Sequence, residues 1–120
     1  MKRILIVDDN LENREILGLL FEDEGFEVRL LTGPEQIELE LISFAPGVVL
    51  MDVMMAGYNG IQVCQLLKSN ALFAHIPIVL MTASNALKDV DLLVSMADAY
   101  VYKPFDIDDV AKMINSLVQA

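Results

Sequence analysis

GVVLMDVMM, residues 47–55, carries four consecutive apolar residues, Val48 to Met51, and then a carboxylate, Asp52. A run that is apolar on both alternating faces describes a strand covered on both sides, the condition of a parallel sheet between layers of helices. An ionised aspartate is almost never fully buried without a partner. Asp52 is therefore expected where this strand emerges at its C-terminal end, within reach of solvent or a cation.

The chain on either side repeats the pattern. RILIV (3–7) is a first buried strand, stopped by Asp8 and Asp9. Asn10 suits a helix N-cap, residues 11–24 place Ile16, Leu17, Leu20 and Phe21 at helical spacing on one apolar face, and Gly25 ends that helix. FEVRLL (26–31) alternates as an edge strand. Pro34 opens a helix over 34–44 with Ile37, Leu41 and Ile42 inward, and Pro46-Gly47 breaks it. After Asp52, a loop through Gly57 and Gly60 leads to a helix near 60–70 with Ile61, Cys64 and Leu67 or Leu66 toward the core. Pro77 precedes IVLMT, a strand ending at Thr82. A helix near 86–96, the strand AYVY ending at Lys103-Pro104, and a helix over 106–118 opened by Asp106, Asp108 and Asp109 follow. Strand and helix alternate about five times. This predicts one α/β domain over residues 1–120, a doubly wound five-stranded parallel sheet of flavodoxin-like strand order 2-1-3-4-5.

Composition narrows the function classes. Hydrophobic residues at 55% and charged residues at 22% describe a globular rather than a disordered chain. The net charge of −10, with eight scattered basic residues, disfavours direct nucleic-acid contact and binding to a membrane surface through a basic helix. No stretch approaches the roughly 20 apolar residues of a membrane span, and MKRILIVDD is too short in its apolar part for a signal peptide. Cys64 is the only cysteine, so no intrachain disulfide can form, which fits a reducing cytoplasm.

In an open α/β sheet, ligands bind beyond the C-terminal ends of the strands, at the switch point between the first and third. Those ends carry Asp8, Asp9, Asp52, Thr82 and Lys103. Carboxylates so close repel one another unless a cation compensates them. A hard divalent ion with oxygen ligands answers this, and Mg²⁺ fits best because it commonly takes one or two carboxylates and keeps several waters or phosphoryl oxygens. Metal, ammonium and hydroxyl around a nucleophile are the parts of phosphoryl transfer, with Asp52 the candidate nucleophile through an acyl phosphate.

ILIVDDN (4–10), VVLMDVMM through Gly60, PIVLMTA (77–83) and ADAYVYKPF (97–105), in this order and spacing, resemble the receiver domain of the two-component response-regulator family over essentially all 120 residues. The resemblance implies that Asp52 accepts a phosphoryl group from the phosphohistidine of a sensor kinase or a phosphotransfer protein. It implies that Asp9 and Asp52 bind Mg²⁺ together with the backbone carbonyl of Met54, while Asp8 helps mostly through water. Lys103 would pair with the phosphoryl oxygens, Thr82 would move to hydrogen-bond them, and Tyr100 would swing inward as an aromatic switch. The Lys103-Pro104 bond would be cis. Autodephosphorylation, tuned at Met54 and Ser84, is the only further chemistry implied, so the chain is not expected to be an enzyme in the ordinary sense. A downstream protein or output domain is the implied partner of the switched surface. Ala56 stands where the family more often has Pro, which implies a less rigid loop after Asp52. Met96 stands near the usual Gly ending the fourth helix, and the interval from Thr82 to Lys103 is slightly short.

Plainer readings stand beside these. Asp8 and Asp9 alone would be a polar turn capping a helix, Thr82 an ordinary strand end and Tyr100 half-buried packing. His75, the only histidine, reads as a surface loop residue, Cys64 as core filler, and the seven methionines mostly as packing. On the helix near 86–96, Leu87, Val90, Val94 and Ala97 are read as inward and Leu92 and Met96 as outward. That pair suggests a partner or homodimer surface shared with the fifth strand and the last helix. Rival functions are an interaction module needing no phosphate, an Asp-nucleophile phosphohydrolase, and an FMN-binding flavodoxin. The phosphohydrolase would want a second acid where Met54 stands. The flavodoxin would want Ser, Thr and Gly donors where the first loop is acidic.

Overall fold

A computed structural model describes residues 2–83 and 95–118. The apolar runs become five parallel strands: β1 (Arg3–Val7), β2 (Glu27–Leu31), β3 (Val48–Asp52), β4 (Ile78–Ala83) and β5 (Ala99–Lys103). They hydrogen-bond in the order β2-β1-β3-β4-β5, as the alternation predicts. The described helices are α1 (Leu11–Asp23), α2 (Ile37–Ser43), α3 (Gly60–Lys68) and the C-terminal α4 (Ile107–Leu117). Residues 86–94 of the helix expected near 86–96, with Leu87, Val90, Leu92 and Val94, lie outside the described residues, as does Ser84.

Period-two alternation divides each strand between two core layers. Leu5, Val7, Val49, Met51, Ile78 and Leu80 pack with Ile37 and Leu41 of α2 and Ile61, Cys64 and Leu67 of α3. Ile4, Ile6, Val48, Leu50, Val79, Met81 and Val101 pack on the other face with Leu17 and Phe21 of α1 and Val110 and Ile114 of α4. All five residues of β3 are buried. Parallel register then brings the strand ends level: Val7 stands beside Leu31 and Met51, Asp52 beside Met81, and Ala83 beside Lys103.

Local signals end the helices where side-chain chemistry says they should. Asn10 caps α1, accepting the Asn13 N–H at 2.9 Å, and Asp106 caps α4, accepting the N–H groups of Asp108 and Asp109. Gly25 ends α1 with φ +89°, a conformation glycine adopts without a Cβ penalty. At the opposite end of the sheet from the strand termini that carry the acids, the Lys68 ammonium is nearly buried. It donates to the carbonyls of Ala74 and Ile76 and pairs with Asp98 at 2.6 Å. Asp98 in turn accepts the Ile78 N–H and donates its own to the Ile78 carbonyl.

Several inward assignments need correction. Ile16 and Ile42 are 48% and 67% exposed, because the buried stripes run through Leu17 and Phe21 on α1 and through Ile37 and Leu41 on α2. Each misplaced residue lies one position, 100° of helix rotation, beyond its stripe. Leu67, not Leu66, faces the core. The helix expected from Pro34 begins with a 3₁₀ turn, Pro34–Gln36. His75 is exposed and Cys64 buried, as read from the sequence. Met96 is 45% exposed and holds φ +62°, so it fills a left-handed position with a side chain that such a position disfavours. Ala97 packs partly buried against the α2/α3 layer.

Leu17→Ala is expected to destabilise the domain by about 2–5 kcal/mol and Ile16→Ala by no more than about 0.5–1 kcal/mol, both measured by urea unfolding. Burial pushes the Cys64 thiol up to about 12. A thiol reagent at neutral pH should therefore leave the native protein unmodified and label it fully in denaturant.

Candidate functional site

β1 runs out at Val7, and the ladder continues one bond further, with the Asp8 N–H donating to the Leu31 carbonyl at 3.0 Å. That extension keeps Asp8 inside the fold at 0% exposure. Its carboxylate accepts the Asn10 N–H at 2.9 Å on Oδ1 and the Asn13 side-chain amide at 3.2 Å on Oδ2. Arg14 donates to its backbone carbonyl at 2.7 Å. Helical spacing explains this convergence, since the first turn of α1 curls back over the turn it caps. Asp9 lies exposed at the rim and accepts the Ala56 N–H at 2.8 Å.

Asp52 closes β3 and is 4% exposed. The Lys103 ammonium, from the end of β5, sits 2.6 Å from Oδ2, and the Met54 N–H donates to Oδ1 at 3.0 Å. Both oxygens of this buried carboxylate are thus compensated. Lys103 is joined to Pro104 by a cis bond, as expected. Past Asp52 the chain makes a small antiparallel hairpin, Met54–Met55 with Tyr58–Asn59, before α3 begins. Gly60 packs so tightly that a Cβ there would stand 2.8 Å from the Val53 Cα, while its N–H donates to the Val53 carbonyl at 2.7 Å. No side chain larger than hydrogen fits that approach.

Asp8, Asp9, Asp52 and Lys103 therefore come together at one rim. Thr82, 1% exposed, lies one residue before the end of β4, since the strand extends through Ala83. Tyr100 is half-buried near the start of β5, opposite Leu80 in register, and packs against the α2/α3 layer. The sequence reading missed Asn13 and Arg14 around Asp8, the hairpin, and the N–H of Ala56. Of these, only Asn13 and Arg14 carried a side-chain signal, one helical turn beyond the aspartate they bind.

One carboxylate oxygen from each of Asp8, Asp9 and Asp52 lies within 4.8 Å of the others. Burial pushes the Asp8 carboxyl above its ordinary value of 3.8, the Asp52 charge adds to the rise, and the Asn10 N–H, Lys103 and Asn13 partly offset it. A hard, oxygen-seeking divalent cation fits this donor set, because it would offset the mutual repulsion of three clustered carboxylates. The stability consequence has a definite sign. A carboxyl whose folded value is raised favours folding when protonated, and that contribution is lost as pH rises through the folded value. In metal-free buffer, Asp8→Asn should therefore raise the melting temperature at pH 7. The gain should shrink on acidification and vanish below about pH 3.8, where wild-type Asp8 is protonated in both states.

The family model for the response regulator receiver domain matches residues 4–115. The DNA-binding response regulator MtrA of Mycolicibacterium paratuberculosis is 38% identical over 105 residues, covering 87% of this chain and 45% of that protein. The dual master transcriptional regulator RpaA of Synechocystis is 28% identical over 120 residues, covering 99% of this chain and 50% of that protein. The chain thus spans about half the length of these curated relatives. Among solved structures, the signal receiver domain of a DNA-binding response regulator from Colwellia psychrerythraea is 27% identical with a TM-score of 0.87, covering 100% of both chains. A putative response regulator from Chloroflexus aurantiacus, 24% identical, shares the fold with a TM-score of 0.89 over 98% of this chain and 97% of that one. A match over nearly the whole length, on a chain whose sheet has the expected order, makes this protein a member of the response regulator receiver domain family, a signalling domain of two-component systems.

Proposed function

We propose that residues 1–120 act as a phosphorylation-controlled switch in which Asp52 accepts a phosphoryl group from the phosphohistidine of a sensor histidine kinase or a phosphotransfer protein. The observation that carries this reading is the buried Asp52 carboxylate held 2.6 Å from Lys103, with Asp8 and Asp9 oxygens beside it. An oxygen of Asp52 attacks phosphorus, an acyl-phosphate P–O bond forms, the P–N bond breaks, and the histidine nitrogen keeps the electron pair. Asp9, Asp52 and the backbone carbonyl of Met54 would hold Mg²⁺, with Asp8 contributing mostly through water. When bound there, it would supply positive charge to neutralise the phosphoryl oxygens.

The chain's own groups then carry the signal. The phosphoryl group adds about −1.5 to −2 charge and new acceptor oxygens. Lys103 follows the added charge, the Thr82 hydroxyl turns to donate to it, and Tyr100 moves inward behind Thr82. One of two pre-existing arrangements of the last two βα units is thereby favoured. The surface altered includes β5 and α4, through which the domain regulates a downstream protein or an attached output domain, or a second copy of itself in a homodimer. Hydrolysis of the acyl phosphate by the domain itself resets the switch. A cytoplasmic location suits these partners, and among the described residues no helix is long and apolar enough to cross a membrane. Two relatives are DNA-binding regulators by name. With a net charge of −10, this receiver is assigned no nucleic-acid contact of its own.

Incubation with acetyl phosphate and Mg²⁺, followed by intact mass and site mapping, should show one phosphoryl group on Asp52. Asp52→Asn or chelation of the metal should abolish it. An unmodified Asp52, under conditions that modify a control receiver, would overturn the reading.

A further inference from the structure

The hairpin after Asp52 pairs Met54 with Asn59 and Met55 with Tyr58, leaving Ala56 and Gly57 at its tip. Gly57 has φ +78°, while Ala56 is not among the non-glycine residues of positive φ. That sequence of signs is the one found in type II turns, where the first central position favours proline and the second requires glycine. Met55, just before, is in a strand, the conformation a residue preceding proline needs. A proline would therefore fit the backbone at Ala56. What it would lack is the N–H that donates to Asp9 Oδ2 at 2.8 Å.

Asp9 is the exposed member of the acidic group, and repulsion from two buried carboxylates favours its rotation out into solvent. The Ala56 N–H opposes that rotation. It belongs to a loop fixed at both ends: Met55 is 6% exposed in the core layer shared with Val7 and Met51, and Gly60 is wedged against Val53. The tie therefore links the exposed carboxylate of the three to a loop anchored at both ends.

We propose that the backbone N–H of Ala56 is a positioning group for the metal site, orienting Asp9 before the cation arrives; this rests on the metal-site reading above. A carboxylate already oriented loses less side-chain freedom on binding. The substitution that isolates the effect is Ala56→Pro, which deletes the donor in a turn that accepts proline. Ala56→Ser, which keeps the N–H, is its control.

Calorimetric titration with MgCl₂ should give wild-type affinity for Ala56→Ser and an affinity weaker by roughly two- to fivefold for Ala56→Pro. The melting temperature of Ala56→Pro in EDTA should be equal to or above wild type. In the metal-free wild type the Ala56 amide should exchange slowly with deuterium, and Asp9→Ala should release it. Equal Mg²⁺ affinity in wild type and Ala56→Pro would overturn the positioning role alone. Wild type that binds no Mg²⁺ would overturn the metal site and the positioning role together. Should Ala56→Pro melt low, unchanged amide exchange in Asp9→Ala would itself overturn the tie.

Discussion

Three carboxylates share one rim of this sheet, and their mutual repulsion is the constraint to which the surrounding structure answers. Each is met by at least one backbone N–H. Asp8 is buried and held by a backbone N–H and a side-chain amide, Asp52 by a lysine and a backbone N–H, and Asp9 by the N–H of a hairpin tip. Burial, with the Asp52 charge adding to it, still holds the Asp8 carboxyl above its ordinary value despite these donors. A site left with excess negative charge in a fully folded domain has free energy available for whatever positive partner arrives.

The sheet makes this crowding unavoidable. Parallel register with every strand of the β1-β3-β4 centre buried on both faces leaves no freedom to slide one strand against another, because a one-residue slip would exchange the two core layers. Once Val7 is level with Met51, and Asp52 with Met81, the acids that follow those strands must meet. Packing energy distributed over two apolar layers thus holds together groups that would otherwise separate.

Much of this was legible in the sequence because it is written in side chains. Continuous apolar runs identified the strands, Asn10, Gly25 and Asp106 marked helix ends, and the strand-terminal residues named the rim. The errors came where the signal is a phase or a backbone atom. Ile16 and Ile42 each lie one position beside a buried stripe, and apolar spacing alone does not phase a helix to within one residue. By sequence, Ala56 implies a looser loop because it lacks the proline ring. The structure shows the loop closed as a hairpin and tied to Asp9 by the N–H that proline would remove. A backbone donor has no letter of its own, so a role of that kind is visible only once the chain is folded.

At the far end of the sheet, Lys68 binds two carbonyls of the chain leading into β4 and the carboxylate of Asp98 just before β5. With one cysteine the chain cannot cross-link itself covalently, and this ammonium takes the place of a staple. Unlike a disulfide it is indifferent to the redox state of its surroundings, and its three partners span three separate positions in the chain. Removing it would break three contacts at once and leave the Asp98 carboxylate, among the described residues, only the Ile78 N–H. One side chain at the end of α3 thus joins the approaches to β4 and β5 at the end of the sheet opposite the acids.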